Sequence, residues 1–321
     1  MDSMRSGRQE SSVFKTNARS RFGGYHKEKR TDARKADVRE DNMLRELVRI
    51  FLDRSNLGVG FGTYASISEF ANYYARVCRI LEEREIGCSA NDVRKFSIVM
   101  PGLHQTDSFS SKAGMFLSAL VNTGNDEDYE MDVNLFDKPL NYLGFQNTKS
   151  IKINGNAGEY LGYNMKSGNI EVTGNVETCA GTNMINGTII IHGNVGCWAG
   201  HGLKCGLLII KGDADAYLGG SMKGGKIIVE KNAGMYLGCR VIDAVEMEYY
   251  PIEGGEIEIR GNVGWGACTR MKGGKVTILG DVSYSLANGM EGGEIIVYGN
   301  VKSLGKILGG NVSMGGDIEK I

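Results

Sequence analysis

The sequence lacks several features that would narrow its function. No two of its 7 cysteines form a CxxC pair, so neither a structural zinc site nor a thioredoxin-type motif is indicated. We find no signal peptide and no apolar run long enough to span a bilayer, and therefore expect a cytoplasmic protein with reduced thiols and no membrane partner. The net charge of −1 gives the whole molecule no general attraction to nucleic acid, so we expect no nucleic-acid partner for it.

Proline is also scarce, with 3 residues, whereas glycine is abundant, with 47. The glycines do not recur at every third position, which excludes a collagen-like chain. Isoleucine and valine are interleaved with them, which argues against a flexible Gly/Ser linker. The glycines must therefore belong to a folded structure.

The first part of the chain divides into a tail and a helical domain. Residues 1–40 carry eleven Lys or Arg and six Asp or Glu with few apolar residues, which predicts a disordered basic tail. Apolar residues at helical spacing predict three helices in residues 41–127. The first begins near Asp41, the second runs from the capping-box residue Ser66 to a stop at Gly87, and the third spans residues 110–122.

A repeat dominates the second part of the chain. The tripeptide Gly-Asx-Val/Ala recurs at steps of 19 residues, with one step of 30 that we interpret as a repeat plus an 11-residue insertion at 242–252. If its first residue is position 1, positions 8 and 14 are mostly glycine, and positions 16 and 18 form an apolar pair. Position 11 is apolar in seven coils, with Val241 assigned to it in the coil that carries the insertion. The tripeptides begin at Gly155, Gly174, Gly193, Gly212, Lys231, Gly261, Gly280 and Gly299.

This pattern predicts a mainly β protein in which residues 128–321 form a right-handed parallel β-helix (solenoid) of 19-residue coils. One such repeat cannot bury its apolar face alone, but stacked coils align identical columns into continuous ladders. Glycine columns mark corners with positive φ, and the Asx residues at position 2 are expected to stack as a polar ladder. We expect the helical domain to cap the N-terminal end of the rod and the residues after Leu304 to cap the other end.

The repeat resembles a known family. Residues 212–229 (GDADAYLGGSMKGGKIIV) are similar to the Gly-xx-Gly-xxx-Gly (GXGXG) domain, which occurs at the C-terminus of the glutamate synthase large subunit and in one of the subunits of formylmethanofuran dehydrogenase. The resemblance covers about residues 150–315 and implies a β-helix that packs domains or subunits together while catalysis takes place elsewhere. The chain has no Cys at residue 1 or 2, no ferredoxin-type Cys cluster and no sign of a flavin barrel, so it is not a full glutamate synthase.

Two groups of residues carry types that are common in catalytic or metal sites. In the first, His104 and Lys112 are the candidate catalytic residues, although its Ser and Asp residues also suit a helix N-cap. In the second, His201 and Cys205 are the candidate zinc ligands, although strand alternation would scatter the group and small Cys residues often pack in a core. The first group consists of His104, Asp107, Ser108, Ser110, Ser111 and Lys112, and the second of His192, Cys197, His201 and Cys205.

The insertion is the candidate interface. It falls at a corner of the solenoid and combines two tyrosines with acidic neighbours, which suits a protein-binding loop, although a loop packed on the rod itself remains an alternative. The candidate interface residues are Glu246, Glu248, Tyr249 and Tyr250.

Three functions remain open from the sequence. The first is a non-catalytic scaffold or assembly subunit of a multi-subunit oxidoreductase or amide-transfer enzyme, without a cofactor of its own and with other protein subunits or further copies of itself as partners. The second is a stand-alone enzyme with a site between the helical domain and the β-helix. The third is an adaptor that binds nucleic acid or acidic partners through the basic tail.

Overall fold

The computed structural model describes residues 41–53, 66–103, 108–241 and 249–315. In these ranges four α-helices precede a series of short strands. The helices are α1 (Asn42–Leu52), α2 (Ile67–Glu83), α3 (Ala90–Val99), which continues as a 3-10 turn (Met100–Gly102), and α4 (Phe109–Thr123). The strands are β1 (Asp128–Asp132), β2 (Ser150–Asn154), β3 (Asn169–Val172), β4 (Thr188–Ile191), β5 (Leu207–Ile210), β6 (Lys226–Val229), β7 (Cys239–Val241), β8 (Tyr249–Pro251), β9 (Glu256–Ile259), β10 (Lys275–Ile278), β11 (Glu294–Val297) and β12 (Asn311–Met314).

The helices begin where capping side chains satisfy their first N–H groups. Asp41 Oδ1 accepts from the Leu44 N–H at 3.1 Å, and Ser66 forms the predicted capping box at the start of α2. The third predicted helix is α4, which ends at Gly124. Helix α3 was not predicted from the sequence, although Ser89 and Asp92 form a second capping box at its start.

The helical region covers the N-terminal end of the β-helix. Helix α3 lies against β1, and α4 is buried along most of its length. At Gly114 of α4 an added Cβ would lie 1.8 Å from the Asn141 carbonyl oxygen, so only glycine permits this approach of helix and solenoid. Ser118 joins the same two parts, since its Oγ donates to the Gly114 carbonyl and lies 3.0 Å from the Tyr142 carbonyl oxygen.

Ten strands form one parallel sheet in the order β1-β2-β3-β4-β5-β6-β9-β10-β11-β12. From β2 to β11 the partners are 19 residues apart, as predicted, except for the 30-residue step across the insertion between β6 and β9. The last step, from β11 to β12, is 17 residues. Positions 16 and 18 of every coil from β3 to β11 are buried, which forms the core of the parallel β-helix. A second ladder runs beside the sheet, with one parallel bridge per coil. Its residues are Leu140, Ala157, Val176, Val195, Ala214, Ala233, Val263, Val282 and Val301.

Six full coils, those that start at Gly155, Gly174, Gly193, Gly212, Gly261 and Gly280, turn through alternate left-handed residues at positions 6, 8 and 10. In the first full coil these are Tyr160, Gly162 and Asn164, with φ values of 60°, 65° and 54°. Their backbone N–H groups bond to neighbouring coils in alternating directions: Tyr160 donates forward to Thr178 at 3.0 Å, and Gly162 donates back to Leu143 at 2.8 Å. The turns are therefore held by the same coil-to-coil hydrogen bonding as the strands.

The predicted polar ladder at position 2 is present. The Oδ1 atom of each Asn or Asp accepts from the backbone N–H of the equivalent residue one coil later, at 2.8–3.0 Å over seven consecutive steps. Asn194, for example, accepts from the Asp213 N–H at 2.9 Å. The side chains thus satisfy backbone donors at a corner where the chain leaves the sheet.

Two details of the solenoid differ from those predicted from the sequence. Ile252, not Val241, takes position 11 of its coil: it is fully buried, and its carbonyl accepts from Lys272 as a position-11 carbonyl does in other coils. The inserted residues leave and rejoin the coil through the antiparallel pair β7–β8. Of the residues after Leu304, the described ones (305–315) complete one more coil that ends in β12, where a separate cap was expected.

Candidate protein-docking face

The outer face of the sheet carries an unexpected apolar patch. In β4, β5 and β6 the residues at positions 16 and 18 point into the core, so position 17 points outward. All three position-17 residues are isoleucine: Ile190, Ile209 and Ile228 are partly exposed and do not belong to the packed core. Together with Leu207 at position 15 of β5 we call them the isoleucine face.

This patch was not predicted from the sequence, because the repeat pattern is defined by its glycine, Asx and inward apolar positions and not by position 17. The available signal was the strands themselves, whose sequences TIII, LLII and KIIV are apolar at the outward position as well. Parallel strands that read as continuous apolar runs are typical of sheets covered on both faces. Within the described ranges no helix or strand is packed against the outer face of β4, β5 and β6.

An ionic network borders the isoleucine face on its C-terminal side. Glu230 links two coils, since Lys211 Nζ lies 2.5 Å and Arg260 3.6 Å from its carboxylate, and the hydrogen bond from Lys211 lowers its pKa. Lys226 lies 3.3 Å from Glu256 on the next strand. The network, which we call the charged border, consists of Lys211, Lys226, Glu230, Glu256, Glu258 and Arg260. An apolar centre with a polar rim is the usual anatomy of a protein interface.

The candidate zinc ligands do not converge. His192 lies on the outer face of the sheet, where its Nε2 is 2.7 Å from Glu171 Oε1. His201 is half-buried and Cys205 is exposed, at positions 9 and 13 of the turn. Within the described ranges no group of three or more His, Cys, Asp or Glu residues could hold a metal ion.

The candidate catalytic cluster is only partly described, because His104 and Asp107 lie outside the described residues. Lys112 has a structural role: its Nζ donates to the Phe51 carbonyl at 2.8 Å and lies 4.6 Å from the centre of the Phe51 ring. Ser110 Oγ donates to the Pro139 carbonyl at 2.6 Å, which ties α4 to the loop after β1. Lys112 and Ser110 thus hold the helical region together and fix it to the solenoid.

The candidate interface in the insertion is described only at its return strand. Glu246 and Glu248 lie outside the described residues, and Tyr249 contributes a backbone pair with Val241 in β7–β8. Tyr250 is half-buried, and its carbonyl accepts from the Ser221 N–H at 3.0 Å, which attaches the hairpin to the preceding coil.

A shallow groove of about 460 Å³ lies between α3 and the first two strands. Its charged side chains include Arg94, Glu130 and Lys152. Glu130 accepts from Asn154 Nδ2 at 2.8 Å and lies 3.6 Å from Lys152, and both contacts lower its pKa. None of the residues that line the groove is a Ser, Cys or His, so it holds no Ser–His or Cys–His pair.

The buried thiols offer no nucleophile either. Cys239 and Cys268, on neighbouring coils, are fully buried, and burial raises the pKa of each to about 12. A thiol must ionise to react, so burial makes both unreactive at neutral pH.

In comparisons with known proteins, no family model matches the chain and no curated protein is significantly similar to it. Among the described helices, none has both the length and the apolar character that crossing a membrane requires.

Proposed function

We propose that this chain is a non-catalytic assembly module whose β-helix binds protein through the isoleucine face. The observation that carries the proposal is the row of three outward isoleucines on adjacent strands, Ile190, Ile209 and Ile228, outside the packed core. Strand spacing places them about 4.8 Å apart, so they form one continuous strip. Removing such a strip from water is favourable, and the charged border restricts which surfaces fit against it.

The sequence resemblance suggests a setting for this module. GXGXG domains pack subunits together in glutamate synthase and formylmethanofuran dehydrogenase, and the same role here would place the chain in a multi-subunit oxidoreductase or amide-transfer enzyme. The proposal for the isoleucine face depends only on the exposed residues and would stand without this resemblance.

Independent catalysis is less well supported by the described residues. Lys112, one of the two candidate catalytic residues, is engaged by the Phe51 carbonyl. The charged groups of the groove beside α3 neutralise one another, and the groove has no Ser–His or Cys–His pair. A binding surface therefore accounts for more of the observed features than an active site does.

Site-specific photo-crosslinking in the cells that produce the protein tests the proposal. A photo-reactive amino acid at position 209 of the full chain should give one abundant protein–protein product. The same amino acid at position 185 is the control, because Ile185 is an isoleucine that is more exposed (43%) than the partly exposed Ile209 but lies on the turn side of the coil. Its product should be absent.

A second substitution makes the test specific to the face. The chain with the photo-reactive amino acid at position 209 is also given the substitution Ile228→Glu on the adjacent strand. The crosslinked product should then disappear, because the new carboxylate would be buried at the contact without a partner. Equal crosslinking from positions 209 and 185, or none from either, would contradict the proposal.

A further inference from the structure

The charged border has an arrangement that identifies a partner for the isoleucine face. Lys226 and Glu230 stand at positions 15 and 19 of β6, on either side of the isoleucine column. Glu256 and Arg260 stand at the same two positions of the adjacent strand β9, and β6 and β9 pair directly. On both strands a positive and a negative side chain therefore flank the column at equal distances.

This arrangement is self-complementary under one particular symmetry. If a second copy lies face to face with the first and is related to it by a two-fold axis along the solenoid, each strand lies over its own copy with its direction reversed. Position 17 then meets position 17, and position 15 meets position 19. Lys226 meets Glu230 of the other copy, Glu256 meets Arg260, and the three isoleucines pack against themselves.

The other face-to-face two-fold arrangement fits less well. If the axis ran along the strands through β5, the strand order would be reversed and β3 would lie over β9. Glu171 would then meet Glu258, and Lys226 would meet Thr188, an uncharged residue. In the axial arrangement the position-17 residues Lys152, Glu171 and Glu258 each meet their own copy. Arg260 and Lys226 lie 3.3 Å and 3.7 Å from the Glu258 carboxylate, and Glu130 lies 3.6 Å from Lys152. The axial arrangement is favoured because it alone pairs Lys226 with Glu230 and Glu256 with Arg260.

The exposed residues near the C-terminal end extend the same contact. Leu279 and Tyr298, at position 19 of the last two full coils, are 45% and 60% exposed. In the axial arrangement they would cover the aliphatic stems of Lys275 and Glu294 of the other copy, at position 15. The contact surface would thus run over most of the sheet.

The available area is sufficient for a reversible dimer. Ten strands spaced about 4.8 Å apart, each four residues wide at about 3.3 Å per residue, present a face on the order of 600 Å² per copy. Two such faces bury on the order of 1,200 Å², which is the lower limit for specific protein interfaces. A dimer of this size should dissociate at measurable concentrations.

We propose that the isoleucine face binds a second copy of this chain, with the two solenoids parallel and related by a two-fold axis along the rod. This inference rests on the proposed function, because it names the protein that the docking face binds. It requires no change in the described part of the chain, since every side chain involved already stands on the outer face.

Sedimentation of the full chain over a range of concentrations is the first test. The 34.9 kDa chain should convert to a species of about 70 kDa as its concentration rises. Ile209→Glu should weaken this association at least tenfold, whereas the matched control Ile185→Glu should leave it unchanged. Melting temperatures of both variants verify that each remains folded.

A charge exchange tests the symmetry itself. Lys226→Glu and Glu230→Lys should each be monomeric alone, since each places like charges in contact across the axis. A 1:1 mixture should associate again, within about threefold of the native affinity, because both contacts in the mixed dimer pair opposite charges. The pair Glu256→Lys and Arg260→Glu provides the same test on the next strand, should one of the first variants not fold.

The outcomes separate this inference from the proposed function. A dimer unaffected by Ile209→Glu, or single charge variants that weaken association without recovery on mixing, would overturn the proposed arrangement. A chain that stays monomeric but still crosslinks through position 209 to a different protein would overturn this inference and leave the docking function intact. A monomer without any crosslink from that face would overturn both.

Discussion

At the scale of single residues, the polar ladder at position 2 shows how one side-chain oxygen per coil helps to hold neighbouring coils together. Asparagine and aspartate both accept the next backbone N–H, so either could occupy position 2. The two aspartates in the ladder, Asp213 and Asp281, are never neighbours, since each lies between two asparagines. Like charges one coil apart would be about 4.8 Å from each other, where repulsion is on the order of 1 kcal/mol in bulk water and about 3 kcal/mol near a protein surface.

Three substitutions in this ladder should therefore change the free energy of unfolding to different extents. Asn194→Ala removes the acceptor for the Asp213 N–H and should lower the free energy of unfolding by about 1 kcal/mol. Asn194→Asp keeps an acceptor but places a second carboxylate beside Asp213, whereas Asn175→Asp has only asparagine neighbours and serves as the control. Urea denaturation at pH 7 should find Asn194→Asp less stable than Asn175→Asp.

The charge explanation also fixes how this difference responds to conditions. The gap between Asn194→Asp and Asn175→Asp should close in high salt, which screens exposed charges, and at a pH low enough to protonate both carboxylates. A gap that persists under both conditions would show that geometry, not repulsion, keeps aspartates apart in this ladder.

At the scale of elements, the sequence predicted the solenoid far better than the helices. The 19-residue periodicity specifies the strands, the corners and the pairing register together. A one-residue shift of register in any coil would turn its buried apolar side chains toward the solvent. Helix α3 was missed because its apolar residues Val93, Phe96 and Val99 are few and its capping box is the main local signal. The insertion boundary was misplaced because Val241 and Ile252 are equally apolar, and only packing decides between them.

The docking face could have been predicted only in part. The residues at position 17 are visible in the sequence, but whether a helix or loop of the same chain covers them depends on the tertiary arrangement. The candidates His104, His201 and Cys205 were chosen by residue type, and type alone does not bring side chains together. Among the described residues no third ligand joins His201 and Cys205, and His104 lies outside the described residues.

The turns of the solenoid offer a prediction at this scale. Gly181 and Gly200 occupy position 8 of neighbouring coils with the same φ of 66°. A Cβ at Gly200 would lie 2.4 Å from Ile227 Cδ1, whereas at Gly181 the nearest side-chain carbons are 3.6 Å away, one of them on Leu208. Both Gly→Ala changes incur about 1–2 kcal/mol of left-handed strain, but Gly200→Ala should cost about 1 kcal/mol more from overpacking.

Denaturation of the two variants and a double variant tests this account. Ile227→Val removes the obstructing Cδ1 atom, so it should be less destabilising in the Gly200→Ala background than in the native chain. Equal losses for Gly181→Ala and Gly200→Ala would mean that backbone strain alone decides the residue at position 8.

At the scale of the whole molecule, the two ends of the rod differ. At the N-terminal end α3 lies against β1, and Tyr129 and Met131 of that strand are buried. At the other end no described strand pairs with the outer side of β12, and the inward residues Val312 and Met314 are only partly buried. A solenoid is stabilised coil by coil through its neighbours, so the end without a neighbour should open most easily.

Hydrogen exchange should reveal this asymmetry directly. The N–H groups of Asn311 and Gly315 donate back to the preceding coil, so by strand alternation those of Val312 and Met314 point away from it. These two amides should exchange fastest among the strand residues, while the amides of β5 in the middle of the sheet should be strongly protected. Strand β1 is the matched control, because it is also terminal but is covered by α3, and its protection should be closer to that of β5. Protection of β12 equal to that of β1 would show instead that the C-terminal end of the rod is covered in solution. The proposed dimer would not explain such a cover, because it joins the faces of the two sheets and leaves the ends of the rods open.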